Sequence, residues 1–493
     1  MKSDRGQIES WQEAVNGMRT EIARAGEVRA ARHMEFVAPD RIVIRPAVAV
    51  VAVKPATEVL ELPTGYLFTA SVADRMVEFV TVRPESIVPV QIERIELITV
   101  AGMPGLQMCI QSTSRQPIST RLRFHVSDME SFVQVTRDAR ISVRVGGEWL
   151  PVTLTTSGIE EGDALFQSPL GSRPRGLLTA MFHAPLGLTF FDCEYSGPRS
   201  ESLELRMLFP GSGGAVDPGS IRLNCLPVVN QRETSVHVTV PPTSTFRPIP
   251  VPEGEVITRI RQVKSYSASR EWLECLPWLG QRHAWKHRVL SKVQYCLRRQ
   301  QNSLDIGVAN CGRGIDEQGV HLNVALNLAD NQADQVEPDS VVTGDQGELG
   351  KLVSMSPMLC PKPIDPVELD AECLANSLFH PRSEIATSAL RALLQQSALP
   401  YVGTRGRLPR SPMLPLIEAI QRVTVSSADE TDFPGVQIRV DLDLEAIDSV
   451  QEFFVASVLD RGLSLLAPPS TATQFKLSHA AGERTCKRRL PIR

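Results

Sequence analysis

The sequence predicts an α+β multidomain protein with an N-terminal helix, a β-rich central body of sandwich-like or barrel-like sheets, and an α/β C-terminal domain. Three observations predict this class. An apolar seam with helical spacing lies before residue 38, short β-branched runs broken by Gly, Pro and Ser continue to about residue 240, and helical and strand patterns alternate after residue 351. A chain of 493 residues is long enough for several domains.

The same changes of pattern divide the chain into four segments. We expect a helical, bundle-forming segment at 1–38, one or more β-rich domains at 39–255, a middle segment with an acidic loop at 256–350, and the C-terminal α/β domain at 351–493. The proline-rich stretch PPTSTFRPIPVPEGE, 241–255, is typical of an extended, semi-rigid connection and marks the end of the β-rich part.

The first segment carries a narrow apolar seam. Its apolar side chains recur at steps of three and four with charged residues between them, and the seam consists of Ile8, Trp11, Val15, Met18 and Ile22. Such a seam is typical of a helix in a multi-chain bundle, so these five residues are a candidate protein interface. An ordinary terminal helix that packs on its own domain explains the pattern equally well.

The β-rich segment opens with the apolar run AVAVVAV at 47–53, which predicts a buried strand, and continues with short runs of alternating polarity. The clearest hairpin is ISVRVGGEWLPVTL, because Gly146 and Gly147 supply the positive φ angles that a two-residue turn needs. One helix is predicted in RGLLTAMFH, from Arg175 to His183, and the strand LGLTFFDCEY follows it. This segment is therefore a β body with at least one packed helix.

The C-terminal segment alternates helices and strands. Two helices are predicted first, DPVELDAECLANSLF and SEIATSALRALLQQ, the second with Ser383 as its N-cap. The strand GVQIRVDLDL follows, and then the helix IDSVQEFFVASVLDRGLSLL, which ends before Pro468. This alternation is typical of an α/β domain, and no repeat of fixed period indicates a solenoid or a propeller.

Composition argues against several classes of protein. The net charge of −4 provides no broad basic field, so nucleic acid is not an expected partner. No run approaches the roughly 18 apolar residues that cross a bilayer, and the first residues lack the layout of a signal peptide, so direct membrane insertion is not expected. Nine scattered cysteines without a C-x-x-C pair are typical of reduced thiols in a cytoplasm.

The stretch SIRLNCLPVVN raises the question of a reactive thiol at Cys225. A nucleophilic thiol needs a nearby base and an electropositive, accessible setting, and the nearest histidine in sequence, His237, lies on another strand-like run. Asn224 and Asn230 are typical of strand edges and turns, and Pro227 is expected to end strand pairing. The sequence therefore favours a structural strand end in which the thiol is a small buried hydrophobic group.

Two sets of residues are of the types that bind metals. His283 and His287 are spaced i, i+4 in HAWKH, but the glutamate of H-E-x-x-H is absent and basic residues flank the pair, which favours a solvated basic helix face. Asp441, Asp443 and Glu445 share one face of a predicted strand, where three carboxylates can converge on Mg²⁺ or Ca²⁺. An exposed strand face explains them at least as well. No cofactor and no catalytic residue is predicted, because the sequence contains neither a nucleotide-binding loop nor a nucleophile elbow.

Several stretches from about residue 42 onwards resemble a known family. IVIRPAVAVVAVKP, RGLLTAMFHAPLGLTFFD, LNCLPVVNQ and FPGVQIRVDLDLEAIDSVQEFFVASVLDRGL are similar, in order and spacing, to motifs of the TssF (ImpG/VasA) family of type VI secretion system baseplate subunits. The residues that match these motifs are Arg45, Pro46, Phe190, Phe191, Asp192, Cys225, Pro227, Asn230, Asp460 and Arg461. The chain departs from the family where Asn-Leu-Phe is replaced by Asn230-Gln231-Arg232, and only about 40 residues precede its Arg-Pro strand.

This resemblance implies a structural protein rather than an enzyme. A TssF-like chain is a wedge subunit of the baseplate of a contractile injection machine, and it needs no cofactor. The partners implied are a TssG-like subunit, a second copy of the chain itself, TssE and TssK, with contacts that reach the hub and the inner-membrane complex. The location implied is the cytoplasm, in association with the secretion complex anchored in the inner membrane, and Cys225 would be a structural residue at a strand end.

Two other functions stay open from the residues alone. A metal-dependent hydrolase would use His283, His287 and the carboxylates from Asp441 to Glu445, and stoichiometric bound metal would distinguish it from a baseplate subunit. A carbohydrate-binding β protein is disfavoured because aromatic residues make up only 5% of the chain, which leaves few rings for sugar stacking.

Overall fold

A computed structural model of the chain describes its fold. The described residues are 44–489 except for 56, 73–74, 167–172, 211–215, 242–245, 267–270, 278–292, 300–302, 311–318, 362–376, 399–400, 404–412, 428–434, 444–447, 468–470, 480–481 and 487–488. The predicted N-terminal helix lies outside the described residues, together with its candidate interface residues Ile8, Trp11, Val15, Met18 and Ile22. Most of the predicted helix DPVELDAECLANSLF lies outside them as well.

The described part of the chain contains thirty strands. The first fifteen are β1 Val48–Val53, β2 Leu60–Leu62, β3 Leu67–Val72, β4 Arg75–Thr81, β5 Glu85–Ile87, β6 Val90–Val100, β7 Met103–Ser112, β8 Arg121–Val126, β9 Arg140–Val145, β10 Glu148–Thr155, β11 Phe190–Tyr195, β12 Ser202–Leu208, β13 Ile221–Leu223, β14 Cys225–Val229 and β15 Arg232–Val240. The others are β16 Arg247–Pro248, β17 Glu255–Tyr266, β18 Trp272–Glu274, β19 Leu276–Pro277, β20 Gln294–Arg299, β21 Leu304–Asn310, β22 Val320–Asp330, β23 Val341–Gly344, β24 Leu349–Ser356, β25 Leu359–Pro361, β26 Tyr401–Gly403, β27 Ile420–Ser427, β28 Gly435–Leu442, β29 Ala472–His479 and β30 Gly482–Thr485.

Six α-helices occur among the same residues. They are α1 Met129–Val133, α2 Ser157–Glu160, α3 Arg173–His183, α4 Ser383–Ala398, α5 Pro415–Ala419 and α6 Ser449–Leu466. The predominance of strands, with helices between them, confirms the predicted α+β class.

Six strands close into a barrel in the order β1-β14-β4-β3-β23-β24. Buried side chains such as Phe68 and Phe79 fill its interior. β1 confirms the predicted buried strand, and it is apolar throughout because both of its faces are covered. Val51 belongs to the barrel core, whereas Val48 packs into the largest core of the protein and Val50 into a small cluster outside the barrel.

The barrel draws its strands from distant parts of the sequence. β1, β3 and β4 come from residues 48–81, β14 from residues 225–229, and β23 and β24 from residues 341–356. Sheet pairing therefore crosses the predicted segment boundaries near 255 and 350. The division into four segments remains a prediction about domains, and it does not follow the sheets.

An eight-stranded sheet has the order β13-β8-β11-β10-β9-β12-β7-β6. Helices α1, α3 and α6 pack with its inward-facing side chains in the largest hydrophobic core. Phe124 stacks on Phe191 within the sheet, at 5.2 Å between ring centroids, and Phe132 of α1 meets Phe454 of α6 edge to face at 6.3 Å. The predicted β body with a packed helix is confirmed in this layer.

Two local predictions in this sheet have different outcomes. The hairpin is confirmed, because β9 and β10 pair across Gly146 and Gly147, whose φ angles are 63° and 100°. The predicted strand LGLTFFDCEY is too long, since Pro185–Leu188 forms a 3₁₀ turn and β11 starts only after it. The hydroxyl of Thr189 donates to the carbonyl oxygen of Val126 at 2.6 Å and thereby fixes the end of this turn against β8.

The sheets β15-β22-β17-β18 and β16-β21-β20-β19 form a small sandwich. Their inward-facing apolar residues share one core, to which β15 contributes Val238, β17 Val263, β22 Leu322 and β21 Ile306. The outward-facing residues of these strands alternate with the core residues, as the period of two requires.

The C-terminal sheet has the order β27-β28-β29-β30. β28 and β29 are parallel and are joined through α6, which is the βαβ arrangement expected of an α/β domain. Asp448 caps α6, because its side chain accepts hydrogen bonds from the backbone N–H groups of Val450 and Gln451. The prediction of Ser383 as an N-cap is wrong by one position: α4 begins at Ser383, so the cap position falls on Arg382, whose carbonyl oxygen accepts from the N–H of Ala386.

Candidate functional site

The stretch SIRLNCLPVVN changes sheets at Asn224. β13 before it belongs to the eight-stranded sheet, and β14 after it belongs to the barrel. Asn224 has a φ of 54°, a left-handed conformation that asparagine tolerates better than most residues. Its amide nitrogen donates to the carbonyl oxygens of Val88 and Val90, and its amide oxygen accepts from the N–H of Val88, all at 3.0 Å. These bonds tie the crossing point to the start of β6.

Cys225 is the first residue of β14 and is buried against Phe190 and Val50. Burial raises the pKa of its thiol to about 12, although the nearby Arg222 guanidinium acts in the opposite direction. The thiol therefore stays protonated near neutral pH, and a protonated, buried thiol is a poor nucleophile.

Pro227 lies inside a strand and does not end one. The prediction that it terminates pairing is wrong, because it stands opposite Val50 in the β1–β14 ladder. The N–H of Asn230 donates to the carbonyl oxygen of Ala47, on the β1 side, at 2.9 Å. Alternate residues of an antiparallel strand bond to the same neighbouring strand. Pro227 is an odd number of residues from Asn230, so its nitrogen points away from β1. On the side of β14 that faces away from β1, the strand pairs with β4 only through its last two residues. The missing N–H of Pro227 therefore costs the sheet no hydrogen bond.

Asp192, the last residue of the Phe-Phe-Asp motif, is buried on β11 among positive charges. Its Oδ1 accepts from Arg123 Nε at 2.9 Å and from Ser157 Oγ at 2.8 Å, and its Oδ2 accepts from Arg121 Nε at 2.9 Å. Burial raises the pKa of this carboxyl, but the hydrogen bond and charge of Arg123 and the hydrogen bonds from Arg121 and Ser157 lower it more, so the pKa lies below its ordinary value. Asp192 is therefore an ionised structural residue.

Arg123 extends this contact towards the barrel. Its Nη1 lies 2.9 Å from Glu85 and its Nη2 lies 3.1 Å from Glu161. Arg83, in the link between β4 and β5, bonds the same two carboxylates, at 2.6 Å to Glu161. We call this set the Asp192 network, and its members are Arg83, Glu85, Arg121, Arg123, Ser157, Glu161 and Asp192. Because it holds as many arginines as carboxylates, its charges cancel, which buried ion pairs need if they are to be stable.

Asp460 and Arg461 lie on α6 and form a second set of ion pairs. Arg489 donates through Nε to Asp460 and lies 2.7 Å from Glu160 through Nη1, while Arg461 Nη2 donates to the carbonyl oxygen of Glu160 at 3.1 Å. Burial raises the pKa of Asp460 above its ordinary value, and Arg489 opposes this only in part. We call these four residues, Glu160, Asp460, Arg461 and Arg489, the Asp460 network.

The four-residue helix α2 joins the two networks. Ser157 and Glu161, at its two ends, belong to the Asp192 network, whereas Glu160 belongs to the Asp460 network. Gly158 allows this helix to lie close to the 3₁₀ turn, because a Cβ there would lie 2.3 Å from the carbonyl oxygen of Leu188. The barrel link, the eight-stranded sheet and the C-terminal layer therefore meet at α2.

Arg45, Pro46 and Asn230 lie near one another at the edge of the barrel. Arg45 is buried and exchanges backbone hydrogen bonds with Leu359 at 2.9 and 3.0 Å. Arg45 and Pro46 line a cavity of about 520 Å³ between the barrel, the loop after α2 and the sheet β15-β22-β17-β18. Asn230 lines a smaller neighbouring cavity and donates to the carbonyl oxygen of Glu78 at 2.7 Å. The Arg-Pro motif and Asn230 are therefore brought together at this junction.

The candidate metal ligands do not assemble into a described site. Asp441 accepts from Arg439 Nε at 3.0 Å, and the backbone N–H of Asp443 donates to the carbonyl oxygen of Ala419 at 2.7 Å. His283, His287 and Glu445 lie outside the described residues. Across the described ranges, no group of three or more His, Cys, Asp or Glu side chains is arranged to hold a metal ion.

No helix in the described part of the chain combines the length and the apolar character needed to cross a membrane.

The motif residues that the sequence singled out in the described part thus lie in strands, ladders, buried ion pairs and the junction beside the barrel. Fold and site together define a β-rich framework whose layers are connected by partly buried arginine–carboxylate networks.

Comparison with known proteins relates this framework to one kind of assembly. No protein-family model and no curated protein sequence matches the chain. The fold matches a chain in the cryo-electron microscopy structure of the type VI secretion system TssK-TssF-TssG baseplate subcomplex, with a TM-score of 0.72 and 15% identity over 99% of this chain and 98% of that one. It also matches a chain of the baseplate complex from the type VI secretion system, with a TM-score of 0.56 and 13% identity over 92% and 87%. At these identities the likeness shows the fold, and it confirms at that level what the TssF resemblance predicts.

The family resemblance identified Asp192 and Asp460 but not the other members of their two networks. Glu160, Glu161 and Arg489 belong to no motif, and charged residues at such positions are usually solvated. One signal was present for the sheet arginines: in RLRFHV they alternate with apolar residues and therefore share a face of β8.

Proposed function

We propose that this protein is a TssF-like wedge subunit in the baseplate of a type VI secretion system, with a structural rather than an enzymatic role. The observation that carries the proposal is the match of the fold over 99% of this chain and 98% of a chain in the TssK-TssF-TssG subcomplex. A match of this extent includes the barrel, the large sheet, the small sandwich and the C-terminal layer together. A single common module, such as one barrel, would give a much shorter match.

The partly buried ion pairs support a mechanical role for this chain in such a machine. A subunit of a contractile assembly transmits force between its neighbours, so its own layers must not slide past one another. Arginine–carboxylate pairs fix both distance and orientation through paired hydrogen bonds, which apolar contacts alone do not. The Asp192 and Asp460 networks place such contacts where three layers meet.

The partners proposed are a TssG-like subunit, a second copy of the chain, TssE and TssK, with contacts to the hub and the inner-membrane complex. The matched subcomplex contains TssK, TssF and TssG, which supports the TssG-like and TssK-like partners. The location proposed is the cytoplasm beside the inner-membrane complex. We propose the apolar seam Ile8, Trp11, Val15, Met18 and Ile22 as the surface that enters a multi-chain bundle.

Co-expression with TssG-like and TssK-like subunits tests the function. We expect one complex on size-exclusion chromatography and co-purification through a tag on the TssG-like subunit. A chain that stays monomeric with every wedge component present would overturn the proposed function.

Two substitutions test the seam separately. Trp11→Asp and Ile22→Asp are expected to reduce co-purification about tenfold or more, because a buried carboxylate in an apolar bundle is costly. Leu97→Asp is a matched control, since Leu97 is 69% exposed on β6 and its replacement should leave the complex intact. If the complex survives both seam variants, the seam is not the interface, while the baseplate function still stands.

The alternative of a metal-dependent hydrolase receives no support from the described residues, where Asp441 is paired with Arg439 and no metal-binding group assembles.

A further inference from the structure

The outward face of the sheet β15-β22-β17-β18 carries aromatic and histidine side chains at one end. Thr239 on β15 lies opposite His321 on β22, and Tyr266 on β17 lies opposite Trp272 on β18. The pairing of β17 with β22 places these two pairs in one row across the four strands. His237 belongs to the next row on the same face. We call the four side chains of the first row, Thr239, His321, Tyr266 and Trp272, together with His237, the aromatic row.

The rings of the aromatic row form a shallow slot. Trp272 lies 5.2 Å from Tyr266 between ring centroids, with the planes inclined by 59°, and 5.8 Å from His237. The slot has a volume of about 270 Å³. Trp272 and Tyr266 are 41% and 45% exposed, so both rings present a large part of their surface to solvent.

The exposure of these rings does not serve the sandwich core. The alternate residues of the same strands, Val238, Val263 and Leu322, face inward and are buried in that core. Solvated sheet faces are normally polar, whereas tryptophan and tyrosine are enriched in surfaces that bind other proteins. The aromatic row therefore has the character of a binding surface.

The charge of this face selects for an uncharged ligand. The row itself contains no carboxylate and no ammonium group. In the adjacent row, Lys264 lies directly opposite Glu274, whose carboxylate also accepts from Gln262 at 3.3 Å, so these two charges offset each other. An acidic or basic peptide would find no complementary charge in the slot.

We infer that the aromatic row binds a proline-rich segment of a partner protein in the polyproline II conformation. Pyrrolidine rings are apolar and rigid, and they pack into slots between aromatic rings. The polyproline II backbone makes no internal hydrogen bonds, and prolines offer carbonyl acceptors without N–H donors. Thr239 and His321 are hydrogen-bonded to each other at 3.0 Å, whereas the Tyr266 hydroxyl and the Trp272 indole N–H are donors on the exposed rings, so the row complements that ligand in hydrogen bonding as well as in charge. This inference does not depend on the baseplate function.

Fluorescence anisotropy of a fluorescein-labelled decaproline peptide, titrated with the full chain, tests the inference. We expect saturable binding that a Gly-Ser peptide of the same length does not compete for. Trp272→Ala and Tyr266→Ala should each weaken binding about tenfold or more, because truncation of an aromatic anchor removes most of its contact area.

The neighbouring residue Leu273 provides a matched control. It is 50% exposed on the same strand, and the alternation of β18 places it on the opposite face, so Leu273→Ala should change the affinity less than about twofold. Absence of saturable decaproline binding, or equal loss in Leu273→Ala and Trp272→Ala, would overturn the inference. So would binding of chitotetraose without binding of decaproline, since it would make the slot a sugar site.

Discussion

Glu160 and Glu161 are neighbours in the chain, and their carboxylates bind arginines from different parts of the fold. Glu160 lies 2.7 Å from Arg489, which follows the C-terminal sheet, whereas Glu161 lies 2.6 Å from Arg83, which follows a barrel strand. A helix of only four residues thus connects two charge networks. This arrangement predicts that adjacent substitutions loosen different layers.

Glu160→Gln is expected to loosen the C-terminal layer and leave the barrel unchanged. Glutamine keeps the size of the side chain but removes the charge that faces Arg461 and Arg489, at a cost of about 1–2 kcal/mol because the site is partly exposed. Hydrogen–deuterium exchange should become faster in α6 and β29. The neighbouring variant Glu161→Gln should instead accelerate exchange near β5, and identical patterns in the two variants would contradict the separation of the networks.

Asp192→Asn is expected to destabilise the protein strongly. The substitution removes the charge of one of the three carboxylates that contact the largely buried Arg123, and breaking a buried pair typically costs about 3–5 kcal/mol. Urea denaturation at neutral pH measures the loss. Asp441→Asn, which breaks a more exposed pair with Arg439, should cost less than about 1 kcal/mol. Equal losses in the two variants would mean that the Asp192 network does not hold the layers together.

Asn224→Gly and Asn224→Ala separate backbone conformation from hydrogen bonding at the sheet crossing. Both variants lose the bonds to Val88 and Val90, but only alanine must also adopt the left-handed conformation, at an additional cost of about 1 kcal/mol. Thermal unfolding should therefore rank the wild type above the glycine variant and the glycine variant above alanine. If alanine were as stable as glycine, the positive φ angle would not matter to the crossing.

Much of the fold is predictable because its local patterns are strong. Gly146 and Gly147 identify a hairpin turn without any tertiary information, and the run at 47–53 is apolar because both faces of β1 are covered. The family resemblance adds the order of the larger pieces. Each of these signals depends on a few adjacent residues.

The errors and omissions arise where distant residues decide the outcome. Pro227 does not end a strand, because its nitrogen lies on the side of β14 where β4 no longer pairs. Sequence alone does not reveal where that pairing stops. The same is true of Glu160 and Glu161, whose partners are far away in the chain. The closed barrel combines strands separated by about 300 residues, and no local pattern indicates that these strands pair.

Acidification is expected to destabilise the protein through two buried histidines. Burial lowers the pKa of His125 to about 4; the Arg222 charge acts in the same direction, and the hydrogen bond to the Leu186 carbonyl acts in the opposite one. Burial likewise lowers the pKa of His183 to about 4. In the unfolded chain the pKa of each histidine is near 6.5. Between pH 6.5 and pH 4 the unfolded state therefore binds more protons than the folded state, so the free energy of unfolding falls as the pH falls. Linkage gives a loss of about 2 kcal/mol per histidine between about pH 7.5 and about pH 5.

Urea denaturation at about pH 7.5 and about pH 5 measures this effect, and His125→Gln assigns it. The variant loses the contact of the imidazole with Phe190, 4.7 Å away between ring centroids, so it should be less stable near neutral pH. It should also lose about half of the pH dependence, because one of the two titrating groups is gone. A pH dependence unchanged in His125→Gln would show that the buried imidazole is not its source.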